Sequence, residues 1–277
     1  MSSLFHYCTV ETLKAILKNK TIRLSDIRKS NDSKEINFLF DEYCKWVEEK
    51  STIDPSSYVK LVEYEKNNQL TNTVFLVSCL SRKEDDLHMW SCYGNEGVCI
   101  EFEEEKLKKQ IERVRIVYEE EDIIPTVPSC KVCISISKVE YHNSKSLETY
   151  FTQKCLKNVN DFITLFYESP TIKSDFFKCE EEFRIIYTLY IGNTNCFVNH
   201  LSLVDENNKI KRNIPFDTIT SGRYQHKMII DIPIDMEIVK SITIGPNCRL
   251  TQQDVNELLF INGIKEIDIK SSRGSYR

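Results

Sequence analysis

Apolar and polar residues alternate along the N-terminal stretch in a way that predicts a strand, a helix and a second strand. The segment "LFHYC" at 4–8 has strand propensity. Thr9 can cap the helix that follows, in which Leu13, Ile16 and Leu17 share one apolar face. The pattern predicts three more elements before residue 73: a short strand "TIRLSD" at 21–26, and amphipathic helices at 35–50 and 55–70.

Strand signals dominate the rest of the chain. We predict strands at 73–81, 97–102, near 113–118 and 131–141, and at 182–191, 196–204, 226–234, 239–246 and 265–270. We predict helices at 103–112, 145–167 and 251–261. Strands in groups, without regular strand–helix alternation, indicate an α+β fold. Because no break in composition marks a boundary, we expect residues 1–277 to form a single domain.

The densest negative charge lies directly ahead of a strand that looks buried, in "FFKCEEEFRIIY" at 176–187. Strands disfavour Glu, and adjacent carboxylates repel each other. In an extended chain Glu180, Glu182 and Arg184 point to one side, because side chains alternate along a strand. Arg184 could hold one glutamate ionised and leave the other free to bind a sugar hydroxyl or stabilise a cation. A salt-bridged strand end explains the same residues.

Two pairs of residues with ring side chains lie near other predicted strand ends. His6 and Tyr7 are neighbours in the first strand, so they face opposite sides and at most one of them lines a given pocket. Trp90 and Tyr93, in "HMWSCYGNEGVCIEF" at 88–102, are three residues apart beside a glycine turn and could stack on a flat ring. Packing in the core is the alternative explanation for all four.

Four polar residues in the first part of the chain are further candidates for ligand contacts. Asn31, Asp32 and Glu35, in "NDSKE" at 31–35, are most simply a turn and a helix cap, and they could also contact a polar ligand. Arg23, on the second predicted strand, is another candidate contact to that ligand.

Charge and motifs exclude several classes of protein. The net charge of −5 argues against a broad nucleic-acid-binding surface, since phosphate neutralisation needs clustered Lys and Arg. A local basic exception is "KIKRN" at 209–213, with Arg223 and Lys227 nearby. The chain has no GxxxxGK[ST], GxGxxG, HExxH or GxSxG motif, which removes the commonest signatures of phosphate loops, Rossmann sites, zinc proteases and α/β-hydrolases.

Cysteine usage and apolar runs bear on the compartment. Eleven scattered cysteines, in a chain whose start does not read as a secretory signal, are expected to be reduced thiols in the cytoplasm. Cys130 and Cys133 have CxxC spacing, but no second pair lies near them, so we do not expect a zinc site. No apolar run reaches about 18 residues, so we expect neither a transmembrane helix nor a membrane partner.

Five segments together resemble a bacterial family, domain of unknown function family 2971. They are "FHYCT" at 5–9, "NDSKE" at 31–35, "SCLS" at 78–81 with "WSCYGNEGVCIEF" at 90–102, "KSDFFKCEEEFRII" at 173–186 and "TIGP" at 243–246. Two residues depart from the family pattern: Ser33 stands where Pro is usual, and Phe177 stands where Trp is usual. Either change can alter the shape of a pocket without removing its polar groups.

A His-bearing strand, a helix, a short strand and a late Glu-x-Glu at a strand start also resemble the ADP-ribosyltransferase fold. This resemblance implies a single α+β domain with a split, mixed or antiparallel sheet and helical insertions. It implies NAD as substrate, no metal, and transfer of ADP-ribose to water or to a protein or nucleic acid. It gives His6 the role of holding NAD and Glu182, with Glu180 nearby, the role of binding the nicotinamide-side ribose. The pocket around nicotinamide and ribose would be shaped by Ser81, Trp90 or Tyr93.

Two other functions stay open. The same aromatic residues and Arg184 could bind a nucleotide without catalysis, in a sensor whose basic segment at 209–227 touches a partner. The acidic residues could instead serve a glycosidase or a metal-dependent nuclease. For an enzyme that cleaves NAD, the biological role we expect is that of a toxin or a phage-defence effector. The sequence leaves the acceptor and the oligomeric state open.

Overall fold

The chain begins as its hydrophobic pattern predicts, with strand β1 (Ser3–Cys8), helix α1 (Val10–Asn19) and strand β2 (Thr21–Asp26). The Thr9 hydroxyl caps α1 by accepting a hydrogen bond from the backbone N–H of Thr12 at 3.2 Å. The computed structural model describes residues 2–30, 35–50, 55–94, 96–115, 134–154, 159–191, 200–222, 224–265 and 267–274.

The remaining elements follow in groups. The other helices are α2 (Asn37–Lys50), α3 (Pro55–Asn72), α4 (Leu87–Met89), α5 (Glu104–Ile111), α6 (Ser144–Gln153), α7 (Val159–Glu168) and α8 (Gln252–Ile261). The other strands are β3 (Thr73–Ser81), β4 (Val98–Glu103), β5 (Val114–Arg115), β6 (Ser135–Lys138), β7 (Glu140–His142), β8 (Ile172–Ser174), β9 (Glu182–Tyr190), β10 (His200–Val204), β11 (Ile210–Ser221), β12 (Tyr224–Pro233), β13 (Val239–Ile244) and β14 (Asp268–Ser271).

The predicted α+β class is confirmed, but strands β8 and β11 lie where no strand was predicted. The helix predicted at 145–167 corresponds to α6 and α7, and residues 155–158 between them lie outside the described residues. The strand predicted near 131–141 is divided into β6 and β7. Val139, between these two strands, donates its N–H to the carbonyl oxygen of Glu182 at 2.9 Å.

Twelve strands of the described residues form one mixed sheet around β3. Along one edge, β3 pairs with β9 over its full length, ending with Ser81 opposite Glu182. The other edge is shared, because β1 pairs with Ser81 through Phe5 while β2 pairs with residues 76 and 77. The sheet therefore splits beside β3. One wing contains β1, β4, β13 and β14, and the other contains β2, β12, β11, β10 and β5.

Helices cover both faces of this sheet, each face over its own apolar core. One core lies beneath α1, α5 and α8, and the other lies beneath α2, α3, α6 and α7. Because side chains alternate along β9, Ile185 enters the first core and Ile186 enters the second. Glu182 and Arg184 share the side of Ile186. They occupy positions where an apolar residue would ordinarily pack and contribute about 1.5–3 kcal/mol.

A second sheet of two short parallel strands, β7 and β8, lies next to this charged strand start. Tyr141 of β7 is opposite Lys173 of β8, and the chain then continues into a 3-10 helix at Asp175–Glu180. The phenol oxygen of Tyr141 accepts a hydrogen bond from the backbone N–H of Glu182 at 2.8 Å. The small sheet thus carries Lys173 to the beginning of β9.

Candidate functional site

The three adjacent glutamates adopt three different backbone conformations, and this separates their charges. Glu180 ends the 3-10 helix, Glu181 is left-handed with φ 43°, and Glu182 begins β9. Glu181 is turned to solvent, where Lys83 Nζ lies 3.1 Å from its carboxylate. Glu180 and Glu182 are only 3% and 4% exposed. The structure brings them together with Arg184 through this turn, not through the extended chain that the sequence suggests.

Arg184 is fully buried and binds the carboxylate of Glu182 in a bidentate manner. Its Nε donates to Oε1 at 2.8 Å, and its Nη2 donates to Oε2 at 3.1 Å. Nη1 donates to the carbonyl oxygen of Pro170 at 2.5 Å, and Nη2 also donates to Glu35, which directly precedes the turn into α2. Because charge-assisted bonds satisfy its donors, the guanidinium is stable in this interior position.

Lys173 is the second buried cation. Its Nζ donates to Glu180 Oε2 at 2.9 Å and to Glu182 Oε2 at 3.1 Å, and it lies 3.6 Å from Glu35 Oε1. The ammonium also lies 4.7 Å from the centre of the Phe177 ring. We call the five charged residues the ionic cluster; its members are Glu35, Lys173, Glu180, Glu182 and Arg184.

Tyr93 connects the ionic cluster to the surface. Its hydroxyl donates to Glu180 Oε1 at 2.5 Å, while the residue itself is 46% exposed. Burial of the hydroxyl and its bond to Glu180 raise the pKa of Tyr93 far above its ordinary value, so the phenol keeps its proton. The hydroxyl of Ser81 donates to the backbone carbonyl of Glu180 at 2.5 Å and so fixes the chain rather than the carboxylate.

Charge within the cluster is not balanced. Three carboxylates face two cations, which leaves a formal charge of −1 when all five groups are ionised. Burial opposes ionisation of Glu182, but Arg184 and Lys173 more than compensate and lower the pKa of Glu182 below its ordinary value. The prediction that Arg184 leaves one glutamate free is wrong, because Glu180 is bound by Lys173 and by Tyr93.

His6 lies at the split of the sheet. Its Nδ1 is 3.0 Å from the carbonyl oxygen of Cys79 in β3. A carbonyl only accepts hydrogen bonds, so Nδ1 carries the proton and Nε2 has a free lone pair in the neutral ring. Burial lowers the pKa of His6, against a smaller opposite effect of the Cys79 carbonyl, and so favours the neutral form. The side chain of Cys79 makes a small contribution to the lowered pKa of Glu182.

The ring of Trp90, the first residue of the π-helical turn Trp90–Gly94, packs against the ring of Tyr7. Trp90 is fully buried, donates from Nε1 to Asp85 at 2.8 Å, and meets the Tyr7 ring edge-on at 4.8 Å between ring centres. Gly94 is required here, since a Cβ on it would lie 2.3 Å from the Trp90 ring. Both residues are buried in one small apolar cluster, as the alternative explanation of core packing predicts.

The remaining predicted residues lie away from the ionic cluster or outside the described residues. Arg23 makes a bidentate pair with Asp231 of β12, with both bonds at 2.7 Å, and has no described contact with the ionic cluster. Asn31 and Asp32 lie outside the described residues, and so do Cys130 and Cys133. In the predicted basic segment, Lys211 and Arg212 are exposed on β11, and Arg223 also falls outside the described residues.

Sequence reasoning missed Lys173, and it named Glu35 as a candidate ligand contact without linking it to Arg184 or Lys173. Both stand within quoted motifs, because Glu35 ends "NDSKE" and Lys173 opens "KSDFFKCEEEFRII". A signal was therefore present, but the separation of 138 positions between residues 35 and 173 hides their contact. Only the tertiary fold brings Lys173 within 3.6 Å of Glu35.

The described part of the chain contains neither a metal-binding group of side chains nor a helix that could span a membrane. No group of three or more His, Cys, Asp or Glu side chains in it is arranged to hold a metal ion. Among the helices in those same residues, none has both the length and the apolar character needed to cross a membrane. Seven cysteines fall within the described ranges, and all seven are free thiols.

These features define an α+β protein with a split mixed sheet and a buried ionic cluster beside the split. Residues 89–185 match the family described as Protein of unknown function (DUF2971). The matched segment runs from Met89, just before the turn that carries Tyr93, to the residue after Arg184, and it confirms the resemblance to domain of unknown function family 2971. No curated protein and no solved structure matches the chain.

Proposed function

We propose that this protein is an enzyme of ADP-ribosyltransferase-like architecture that cleaves the nicotinamide–ribose bond of NAD. The observation that carries the proposal is an ionised, buried carboxylate (Glu182) next to Glu180, which binds the half-exposed phenol of Tyr93. The neutral imidazole of His6 lies on the neighbouring strand β1, against the Cys79 carbonyl of β3. The resemblance of the chain to that fold supplies the substrate, and the geometry supplies the chemical groups.

The reaction needs a group that stabilises positive charge on ribose. When the glycosidic bond breaks, its electron pair leaves with the nicotinamide nitrogen, which becomes neutral, and C1′ becomes an oxocarbenium-like centre. Water or an acceptor then adds to C1′ and loses a proton, giving ADP-ribose or an ADP-ribosylated product. Glu182 provides a fixed negative charge in a low-dielectric environment, and such preorganised charge stabilises a developing cation strongly.

Two other side chains have matching roles in this proposal. The free Nε2 of His6 accepts a hydrogen bond from a ribose hydroxyl, because Nδ1 is already used by the Cys79 carbonyl. The exposed ring of Tyr93 offers a flat surface on which nicotinamide stacks while the Tyr93 hydroxyl stays on Glu180. We place this activity in the cytoplasm, in a toxin or a phage-defence effector.

The test is release of nicotinamide from NAD, followed by chromatography, with matched glutamate variants. We expect Glu182→Gln to lower the rate about 100-fold or more, since one preorganised electrostatic contact contributes roughly that factor. Glu181→Gln is the control, because Glu181 faces solvent and its ion-pair partner among the described residues is the exposed end of the Lys83 side chain. Circular dichroism checks that both variants are folded. Wild-type protein that releases no nicotinamide, or a folded Glu182→Gln variant that keeps full activity, refutes the proposal.

A second candidate is a non-catalytic nucleotide sensor of the same fold. The observation that favours it is that both carboxylate oxygens of Glu182 are already bound by Arg184 and Lys173. Thermal-shift measurements with NAD, ADP-ribose, cyclic nucleotides and oligonucleotides separate the candidates. Ligand at 100 times its Kd stabilises the folded state by about 2.7 kcal/mol. Stabilisation by a nucleotide without turnover supports the sensor.

A further inference from the structure

Lys173 occupies a cage that is suited to an organic cation. Three carboxylates lie around its Nζ, at 2.9 Å for Glu180, 3.1 Å for Glu182 and 3.6 Å for Glu35. The ring of Phe177 closes another side at 4.7 Å. Carboxylates combined with an aromatic face are what proteins use to bind ammonium and other organic cations.

Of the two cations in the cluster, only Lys173 is held in a way that permits displacement. Arg184 is fully buried, chelates Glu182 and is also fixed by the Pro170 carbonyl. Lys173, by contrast, has a flexible stem and belongs to β8, a strand of three residues whose only described strand partner is the equally short β7. Glu180, which binds Lys173, is also bound by the half-exposed Tyr93, so the Lys173 side of the cluster is the side nearer to solvent.

The position of Lys173 conflicts with the use of Glu182 as a stabiliser of positive charge. An ammonium 3.1 Å from Glu182 Oε2 cancels much of the field that the carboxylate would exert on a second cation. A substrate that carries a positive ring and develops positive charge on its ribose must compete with that ammonium. In the resting protein the Lys173 ammonium therefore already fills the position that a substrate cation would take.

We propose that Lys173 is an autoinhibitory residue, whose ammonium fills the cation position of the ionic cluster until a cationic substrate group displaces it. The inference rests on the proposed function, because it takes the displacing group to be the nicotinamide–ribose part of NAD. Lys173 then regulates the enzyme, because the basal rate of NAD cleavage depends on how strongly its ammonium binds the three carboxylates. This role also accounts for the second donor on Glu182 Oε2, an oxygen that Arg184 already binds.

The first test compares nicotinamide release by the wild type and by Lys173→Met. We expect kcat/KM to rise about tenfold or more, because a competing unit charge is removed next to Glu182. Lys83→Met is the matched control, since the Lys83 ammonium pairs with exposed Glu181, and its rate should equal that of the wild type. Adding Glu182→Gln to Lys173→Met should abolish the gain. A folded Lys173→Met variant with an equal or lower rate overturns the inference and leaves the proposed function intact.

The single variant leaves three carboxylates with one cation and can fail to fold. The double variant Lys173→Met with Glu180→Gln keeps the formal charge of the cluster at −1, and it provides the comparison in that case. The expected direction is the same: faster nicotinamide release than by Glu180→Gln alone. A rate equal to or below that of Glu180→Gln overturns the inference.

A binding test applies when no variant releases nicotinamide, which would refute the proposed function by itself. Lys173→Ala removes the stem and the ammonium, and n-butylammonium chloride is then added as a probe. We expect the probe to raise the thermal midpoint of Lys173→Ala and not that of the wild type, with sodium chloride at equal ionic strength and 1-butanol as controls. A rise in the thermal midpoint of Lys173→Ala supports a cation-binding position at Lys173, whether or not the protein cleaves NAD. No rise overturns the inference.

Discussion

Substitution of Arg184 by Met should remove much of the stability of this protein. The side chain is fully buried and donates to Glu182, Glu35 and the Pro170 carbonyl. Met fills a similar volume but leaves the buried carboxylate of Glu182 and the partly buried carboxylate of Glu35 short of a partner. Breaking a buried ion pair by removing one side costs about 3–5 kcal/mol. Glu182 keeps Lys173 at 3.1 Å, which limits the loss, whereas the orphaned Pro170 carbonyl adds about 1 kcal/mol.

Urea unfolding, followed by circular dichroism, measures this loss. We expect Arg184→Met to lower the free energy of unfolding by about 3–5 kcal/mol. The matched control is Arg23→Met, because Arg23 also binds a carboxylate in a bidentate manner, at 2.7 Å to Asp231, but is exposed. Exposed pairs contribute about 0–1 kcal/mol, so the control should stay within that range.

A double-mutant cycle identifies the cause of the loss. If the penalty comes from the unpaired charge of Glu182, then Glu182→Gln should recover part of it in the Arg184→Met background. We expect a coupling energy of about 1–3 kcal/mol between the two sites. Two results contradict this reasoning: a loss below about 1 kcal/mol for Arg184→Met, or losses that add within about 0.5 kcal/mol.

Two further predictions concern the wing of the sheet formed by β1, β4, β13 and β14. Burial opposes ionisation of Glu101, but hydrogen bonds from Lys240 and other neighbours lower the pKa of Glu101 to about 2. The ionised carboxylate therefore stabilises the fold above pH 4.5, and this stabilisation is lost as the pH falls towards 2. In acid titrations of unfolding, Glu101→Gln should remove about 1–3 kcal/mol of that pH-dependent stability. Gly97→Ala should lower the thermal midpoint far more than Gly222→Ala. A Cβ at Gly97 would lie 2.0 Å from the Cys8 carbonyl oxygen, whereas one at Gly222 meets nothing and adds only left-handed strain of about 1–2 kcal/mol.

The elements set by local pattern were predictable from the sequence. Strand β3 has the predicted bounds, and α1 has the predicted cap and buried face, because a capping hydroxyl and apolar spacing act within a few residues. The predicted helix at 251–261 became α8, which begins one residue later behind the Thr251 cap. The helical turn predicted around Trp90 and Tyr93 is present, but a π-helical geometry puts the two rings on different sides of it.

The ionic cluster could be predicted only in part, because its partners are distant in the chain. The crowding of Glu180 and Glu182 near Arg184 was visible, since the three lie within five positions. The left-handed turn at Glu181 was not, because no Gly or Asn marks it. Lys173 reaches Glu35 only because β8 and the start of α2 meet beside the same sheet face. That meeting depends on packing in the second core, which periodicity does not encode.

The ionic cluster lies where apolar residues would fold the chain at least as well. Replacing a buried ion network with well-packed apolar residues is often neutral or stabilising, so stability alone does not account for five charges there. A carboxylate kept ionised in a low-dielectric environment is what a positive transition state requires. The two explanations predict different changes in the rate of nicotinamide release for Lys173→Met. A cluster that serves only folding gives a less stable protein with no gain in rate, whereas a cluster that serves chemistry gives a less stable protein that reacts faster. A loss of stability and a gain in rate in the same variant is the combination that only a functional cluster produces.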